Sequence, residues 1–151
     1  MKIEIDQSGK IEQTNKLTVI AYSNGMSKSI SITSTEKKIL QKHFRVIGKG
    51  KLFVLVTFCI LIYCLIKNII SDELNIYIDR EYAGFDDFIR QRLIEFSGNK
   101  LKRNQIHISE IGKKSRVHIK AHADAVKRKG DIVIKSGNCV KFVKNKRSGS
   151  A

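Results

Sequence analysis

The feature of the sequence that most restricts the fold is an uncharged apolar run, LFVLVTFCILIYCLI, which extends from Leu52 to Ile66 between two lysines. A helix that is apolar on every side must be buried. The 15 residues of the run fall short of the roughly 20 that a helix needs to cross a bilayer. One face of a β-sheet, together with neighbouring helices, can cover such a helix, so the run predicts an α/β protein.

The segment before this run has the pattern of a three-stranded antiparallel meander. Residues Met1 to Asp6 alternate between apolar and polar side chains, and the DQSGK stretch that begins at Asp6 is typical of a turn. The LTVIAYS stretch predicts a second strand and SKSISIT a third. The Asn24–Gly25 pair between them is a strong hairpin signal.

Helical and strand patterns alternate through the rest of the chain. Ser34 or Thr35 can cap a helix over EKKILQKHF, and the apolar helix is expected to continue to about Ile70. LNIYID, QIHISEI and DIVIK have strand patterns, separated by the helical segments GFDDFIRQRLIEF and SRVHIKAHADAVKRK. This order predicts a mixed sheet, in which the antiparallel meander is followed by alternating helices and parallel strands, with helices on both faces. Residues 1–135 would form a single α/β domain, and residues 136–151 a basic C-terminal extension with a disordered end.

The chain is strongly basic, with 29 Lys and Arg against 14 Asp and Glu and a formal net charge of +15. Of the basic residues, 15 lie in residues 97–151, where there are 3 acidic ones. Such an excess is typical of proteins that contact nucleic acid or an anionic membrane. Few aromatic residues lie among the basic ones, which favours contacts to the phosphates of a duplex or structured nucleic acid over base stacking.

The sequence IGKKSRVH, from Ile111 to His118, is the most specific candidate for a phosphate contact. Gly112 lets a ligand approach the backbone, and Ser115 can cap a helix whose N-terminus favours anions. An ordinary capped helix start with solvated lysines explains the same residues. The nucleic-acid-binding residues predicted from this loop and from a later basic run are Lys113, Lys114, Ser115, Arg116, Lys127, Arg128 and Lys129.

The three cysteines, Cys59, Cys64 and Cys139, lack CxxC and Cys/His metal spacing. They are expected to be reduced thiols of a cytoplasmic protein. The first residues already alternate like a strand, and no signal peptide is recognisable there.

Two aspartates occupy corresponding places in the strand pattern. In IEIDQSGKI, Asp6 lies in the first strand and precedes a turn of small residues; in IYIDREY, Asp79 closes the fourth strand. With the order of elements, these residues resemble the ribonuclease H-like superfamily of nucleases, resolvases and transposases. The resemblance implies that the first and fourth strands lie side by side and that their carboxylates share a two-metal site. It also implies a third acidic residue, or a histidine, on a late helix.

The chemistry of phosphodiester hydrolysis gives a separate reason for such a site. Charge must be neutralised on the attacking and the leaving oxygen, which two Mg²⁺ or Mn²⁺ ions bridged by carboxylates can do. Magnesium takes a few oxygen ligands and completes its shell with water, so two or three carboxylates suffice. The predicted metal ligands are Asp6, Asp79 and Asp124.

Several residues are candidates for the third ligand. His118 is the preferred contributor and Asp124 the second, with Glu81 as a further candidate. Asp131 is better explained as a turn residue. Because the Glu of an HExxH motif is missing, the pair His118 and His122 does not indicate zinc.

Both aspartates also have ordinary structural explanations. Asp6 can begin a turn with Ser8 and Gly9. Asp79 can lead into the next helix or pair with Arg80.

Three functions are compatible with these patterns. The leading prediction is a nucleic-acid-binding protein that hydrolyses phosphodiester bonds as a metal-dependent nuclease, with Asp6, Asp79, His118 and Asp124 as catalytic residues. The first alternative is a non-catalytic nucleic-acid-binding or accessory protein on the same fold. The second is a membrane-associated basic protein anchored by Leu52–Ile66.

Overall fold

The computed structural model describes residues 1–110, 120–121, 124 and 129–143. Its strands are β1 (Lys2–Ser8), β2 (Thr18–Ser23), β3 (Ser27–Ile32), β4 (Asn75–Asp79), β5 (Ile106–Ser109) and β6 (Ile132–Val133). They form one sheet in the order β5-β4-β1-β2-β3-β6. The meander β1, β2 and β3 is antiparallel, whereas β1 and β4, β4 and β5, and β3 and β6 pair in parallel. The predicted mixed sheet is therefore confirmed.

Helices connect the strands. Those described from end to end are α1 (Ser34–Val46), α2 (Phe53–Ile66), α3 (Asp86–Phe96) and, after the last strand, a short α4 (Ser136–Cys139), with 3₁₀ turns at Gly50–Leu52, Arg103–Gln105 and Val140–Phe142. The cap of α1 lies one residue before the predicted one, because the Thr33 hydroxyl accepts the hydrogen bond from the Glu36 N–H.

The apolar run forms α2 and lies in the core. Phe58, Cys59 and Ile60 are almost fully buried, and they belong to one cluster with the apolar side chains of β1 to β5 and with α1 and α3. The helix ends at Ile66, four residues before the predicted end, and a turn follows. Within the described ranges of the chain, no helix is long and apolar enough to cross a membrane.

The opposite face of the sheet is polar. In the strand register Asp6 lies opposite Ala21, and Ala21 opposite Ser29, so their side chains project from the same face. Lys120, Ala121 and Asp124 are helical, and the fully buried Ala121 packs on Ala21. The late helix therefore covers part of this polar face.

Gly130 directs the chain from that helix towards β6. A Cβ atom at this position would lie 2.9 Å from the Ile30 carbonyl carbon and from the Ser31 nitrogen. The Gly130 N–H also donates a hydrogen bond to the Ser31 hydroxyl, at 2.9 Å. A glycine is required here because the chain passes directly against β3 before it pairs with it.

The first residues of the predicted C-terminal extension pack on the domain. Cys139 is fully buried, and the Phe142 ring lies 5.8 Å from the Tyr63 ring and 5.0 Å from the Phe96 ring. The Glu36 carboxylate accepts hydrogen bonds from the Ser136 N–H and hydroxyl, at 2.8 and 2.9 Å. These contacts place residues 136–142 against the helices α1, α2 and α3. The predicted disordered end, 144–151, lies outside the described residues.

Candidate metal centre

Three carboxylates meet where β1 and β4 end. Asp6, Asp79 and Glu81 each contribute one carboxylate oxygen to a group in which these atoms lie within 4.8 Å of one another. The parallel register, in which Ile5 faces Ile78, explains why Asp6 and Asp79 are neighbours on the same face. The structure thus brings the two predicted aspartates together and adds Glu81, which the sequence offered as a further candidate.

Asp6 is the most buried of the three, with 4% of its surface exposed. Its Oδ1 accepts a hydrogen bond from the Gln7 N–H, at 2.7 Å. Asp6 lies inside β1, and the turn that was the alternative explanation for it comes later, at Gly9, where φ is +80°. The carboxylate is therefore oriented by the strand rather than by solvent.

The pKa of Glu81 lies well above that of an ordinary glutamate. Burial, a hydrogen bond with Asp79 and the negative charges of Asp79 and Asp6 raise the pKa of Glu81 to about 8. A carboxyl group with this pKa is mostly protonated at neutral pH. The proton relieves the repulsion that three negative charges so close together would otherwise cause. The cluster thus combines two aspartates with a glutamate whose pKa is raised by their proximity.

These groups fit Mg²⁺ or Mn²⁺. The ligand atoms are carboxylate oxygens, which hard divalent ions prefer, and three carboxylates leave coordination positions for water. Because the cluster concentrates negative charge where water is partly excluded, a divalent cation would be held more strongly than at an exposed acidic patch.

Asp124 lies elsewhere on the same face. The Ser29 hydroxyl donates a hydrogen bond to the Asp124 carboxylate, which also forms an ion pair with Lys120 at 2.9 Å. Ser29 is two strands away from Asp6, or roughly 10 Å at the usual strand spacing. Asp124 therefore lies apart from the three carboxylates, and its carboxylate fastens the late helix to β3. Its role as a third metal ligand stays a prediction.

Asp131 has the turn role that its position predicted. Its N–H donates to the Ser29 hydroxyl at 3.0 Å, and its carboxylate accepts from the Ser29 N–H at 2.9 Å. Lys129 is exposed, and its N–H donates to the Asp124 carbonyl oxygen at 3.1 Å. The other predicted ligand and nucleic-acid-binding residues lie outside the described residues: His118, Lys113, Lys114, Ser115, Arg116, Lys127 and Arg128.

Arg80, the alternative ion-pair partner for Asp79, is directed towards α3 and β5. Its guanidinium forms an ion pair with Asp86, at 2.9 Å, and donates to the Ile108 carbonyl oxygen at 3.0 Å. These contacts raise the pKa of Arg80 further, chiefly through the hydrogen bond with Asp86. Arg80 therefore braces the segment after β4 from outside the carboxylate cluster.

Tyr82 is a site residue that the sequence did not single out. Its hydroxyl donates to the Glu12 carboxylate at 3.2 Å and accepts from the Gln7 amide at 3.3 Å, while its ring packs on Phe58. These bonds connect the end of β1 to the segment that carries Glu81. The one available signal was the position of a tyrosine three residues after Asp79.

Comparison with known proteins gives no assignment. No protein-family model matches the chain. No curated protein and no solved structure is significantly similar to it. The carboxylate cluster and the sheet topology therefore carry the functional argument.

Proposed function

We propose that the protein is a metal-dependent nuclease that hydrolyses phosphodiester bonds on a ribonuclease H-like fold. The observation that carries this proposal is the group of three carboxylates, Asp6, Asp79 and Glu81, whose oxygens lie within 4.8 Å of one another. The group stands at the ends of two adjacent parallel strands, β1 and β4. In open α/β sheets, this edge is where ligands commonly bind.

The resemblance to the ribonuclease H-like superfamily supports the proposal through topology. The acidic strand β1 lies between its antiparallel neighbour β2 and the parallel strand β4, which carries a second carboxylate, as the resemblance implies. Glu81 would replace the acid that this superfamily places on a late helix. The fold alone hosts several activities, so the argument for catalysis rests on the carboxylates.

Asp6, Asp79 and Glu81 would hold Mg²⁺ or Mn²⁺. When bound, such ions neutralise the charge that develops on the attacking and leaving oxygens of a phosphodiester. Asp6 offers a carboxylate with a fixed orientation, and Glu81 must release its proton before it can contribute a charged oxygen. The bonds among Gln7, Tyr82 and Glu12 keep the two strand ends in position.

Nucleic acid is the substrate that the charge of the chain favours. A net charge of +15 attracts a polyanion and makes binding weaken as salt rises. The scarcity of aromatic residues among the basic ones favours duplex or structured substrates.

The test is a cleavage assay on purified protein with single-stranded, duplex, hybrid and branched DNA and RNA, in Mg²⁺, Mn²⁺ or EDTA. Asp6→Asn and Asp79→Asn should abolish a cleavage that EDTA also abolishes. Asp72→Asn is the matched control, since Asp72 is an exposed aspartate before β4, at the opposite edge of the sheet. Cleavage that survives both site substitutions would reject the proposed centre. Salt-sensitive binding without cleavage would instead favour a non-catalytic nucleic-acid-binding protein.

A further inference from the structure

We propose that a groove beside the carboxylates seats the sugar–phosphate backbone of the substrate strand next to the cleaved bond. This inference rests on the proposed nuclease function and assigns it a substrate contact. The groove has a volume of about 660 Å³. Its lining includes Ser8, Gln13, Asn15, Lys16, Thr33 and Ser34.

The groove opens at the same edge of the sheet as the carboxylates. Its residues lie at the end of β1, in the loop before β2 and directly after β3, and the carboxyl ends of β1, β3 and β4 share one edge. Ser8 and Asp6 project from the same face of β1, roughly 7 Å apart, as residues two positions apart in a strand do. A nucleic-acid strand that reaches the carboxylates along β1 therefore passes the groove.

The lining suits a sugar–phosphate backbone. Among the described residues that line the groove, Lys16 carries the only full charge, and no carboxylate would repel a phosphate. Hydroxyl and amide side chains, which commonly contact phosphate and sugar oxygens, supply most of the remainder. The volume lies within the range of about 300–1,000 Å³ that is usual for ligand pockets.

The wall of the groove is fixed before any ligand arrives. Lys37 is fully buried, and its ammonium donates to the Lys10 and Gln13 carbonyl oxygens, at 3.3 and 2.8 Å, and to the Thr18 hydroxyl, at 2.9 Å. A lysine is seldom buried completely. Its three bonds hold the loop between β1 and β2 from the core side, so that Gln13 and its neighbours face the groove.

A second tie joins this loop to α1, because the Ser34 hydroxyl donates to the Thr14 carbonyl oxygen at 2.7 Å. The same loop carries Glu12, the partner of Tyr82 near the carboxylates. The loop thus belongs both to the groove and to the frame of the candidate metal centre. Such a wall loses little conformational freedom on binding.

The first test measures binding without cleavage. Fluorescence anisotropy in EDTA, with short labelled DNA, RNA and hybrid duplexes, compares wild type with Lys16→Gln and Lys100→Gln. Both lysines are exposed, but Lys100 lies with Asp72 at the opposite edge of the sheet. Lys16→Gln should weaken binding roughly tenfold, as expected for a lost charge-assisted contact, and reduce the slope of log K against log salt by about 0.9.

The second test determines whether the bound nucleic-acid strand lies in the groove. A photo-crosslinking residue at Asn15 should attach to nucleotides beside the cleaved bond, whereas the same residue at Gln91, an exposed position on α3, should not. Wild-type affinity in Lys16→Gln, or an equal loss in Lys100→Gln, would overturn the groove, and so would a lack of crosslinks at Asn15. If the protein cleaves nucleic acid but gives any of these three results, the groove is rejected and the nuclease proposal stands. Crosslinks and a Lys16 effect without any cleavage would overturn the nuclease and keep the groove as a nucleic-acid site.

Discussion

Glu81 shares a hydrogen bond with Asp79, two residues earlier in the chain, where β4 ends and the chain turns towards α3. The bond requires a proton between two carboxyl groups that would otherwise repel each other. Burial and this pairing together raise the pKa of Glu81 to about 8, well above the 4.5 of an ordinary glutamate. The raised pKa makes the folded protein sensitive to pH at this position.

Glu81→Gln should stabilise the metal-free protein at alkaline pH. Because the pKa of Glu81 is higher in the folded than in the unfolded chain, wild-type stability falls as pH rises from about 4.5 to about 8. Glutamine cannot ionise, so the variant should melt higher than wild type at pH 8 and above, and the advantage should disappear near pH 4.5. Thermal unfolding in EDTA measures this difference, with the exposed Glu73→Gln as control. Parallel pH profiles for wild type and Glu81→Gln would contradict the assignment.

Mn²⁺ should stabilise the wild-type protein. A ligand that binds the folded state alone adds about 2.7 kcal/mol at a hundredfold excess over its dissociation constant. The Mn²⁺-induced rise in melting temperature should be larger at pH 8 than at pH 6, because the Glu81 proton competes with the ion. Asp6→Asn should remove most of the rise, while Asp72→Asn should retain it. The same rise in Asp6→Asn would place the ion elsewhere.

Lys37→Met should destabilise the protein by about 1–3 kcal/mol. The substitution keeps the apolar stem but leaves the Gln13 carbonyl and the Thr18 hydroxyl without their buried donor. Burial lowers the pKa of Lys37 to about 8, so wild-type stability should rise between about pH 8 and 10.5, and the variant should lack that rise. Urea unfolding measures both effects. Lys38→Met, at an exposed position one residue later, should behave like wild type.

The sequence was sufficient to place Asp6 and Asp79 in strands, because period-two alternation is a local property. Whether they are adjacent depends on the order of the strands, which only the family resemblance predicted. In the structure β1 and β4 are parallel neighbours, as that prediction requires. The choice among further ligands was beyond local patterns. Glu81 joins the aspartates because the chain turns after β4, and the direction in which it turns is not a local property of the sequence.

The position of Asp124 could not be predicted from the local sequence at all. Its partner Ser29 is 95 residues away in sequence, so only the position of the late helix over Ala21 determines where its carboxylate lies. The packing of residues 136–143 has no local sequence signal for a similar reason. Their contacts, such as that of Phe142 with Tyr63, depend on surfaces formed by distant parts of the chain.

Removal of two arginines should make the protein self-associate through β5, which lies at one end of the described sheet. Arg90 Nε donates to the Ile106 carbonyl oxygen and the Arg80 guanidinium to that of Ile108, both at 3.0 Å. A strand edge with unpaired backbone groups recruits other strands, and charged side chains prevent this. The double variant Arg80→Ala/Arg90→Ala should therefore form concentration-dependent oligomers in analytical ultracentrifugation. Arg103→Ala is the control, because it removes an ion pair with Asp87 of α3, and this variant should sediment as wild type does. If the double variant also sediments like wild type, the edge is protected in another way.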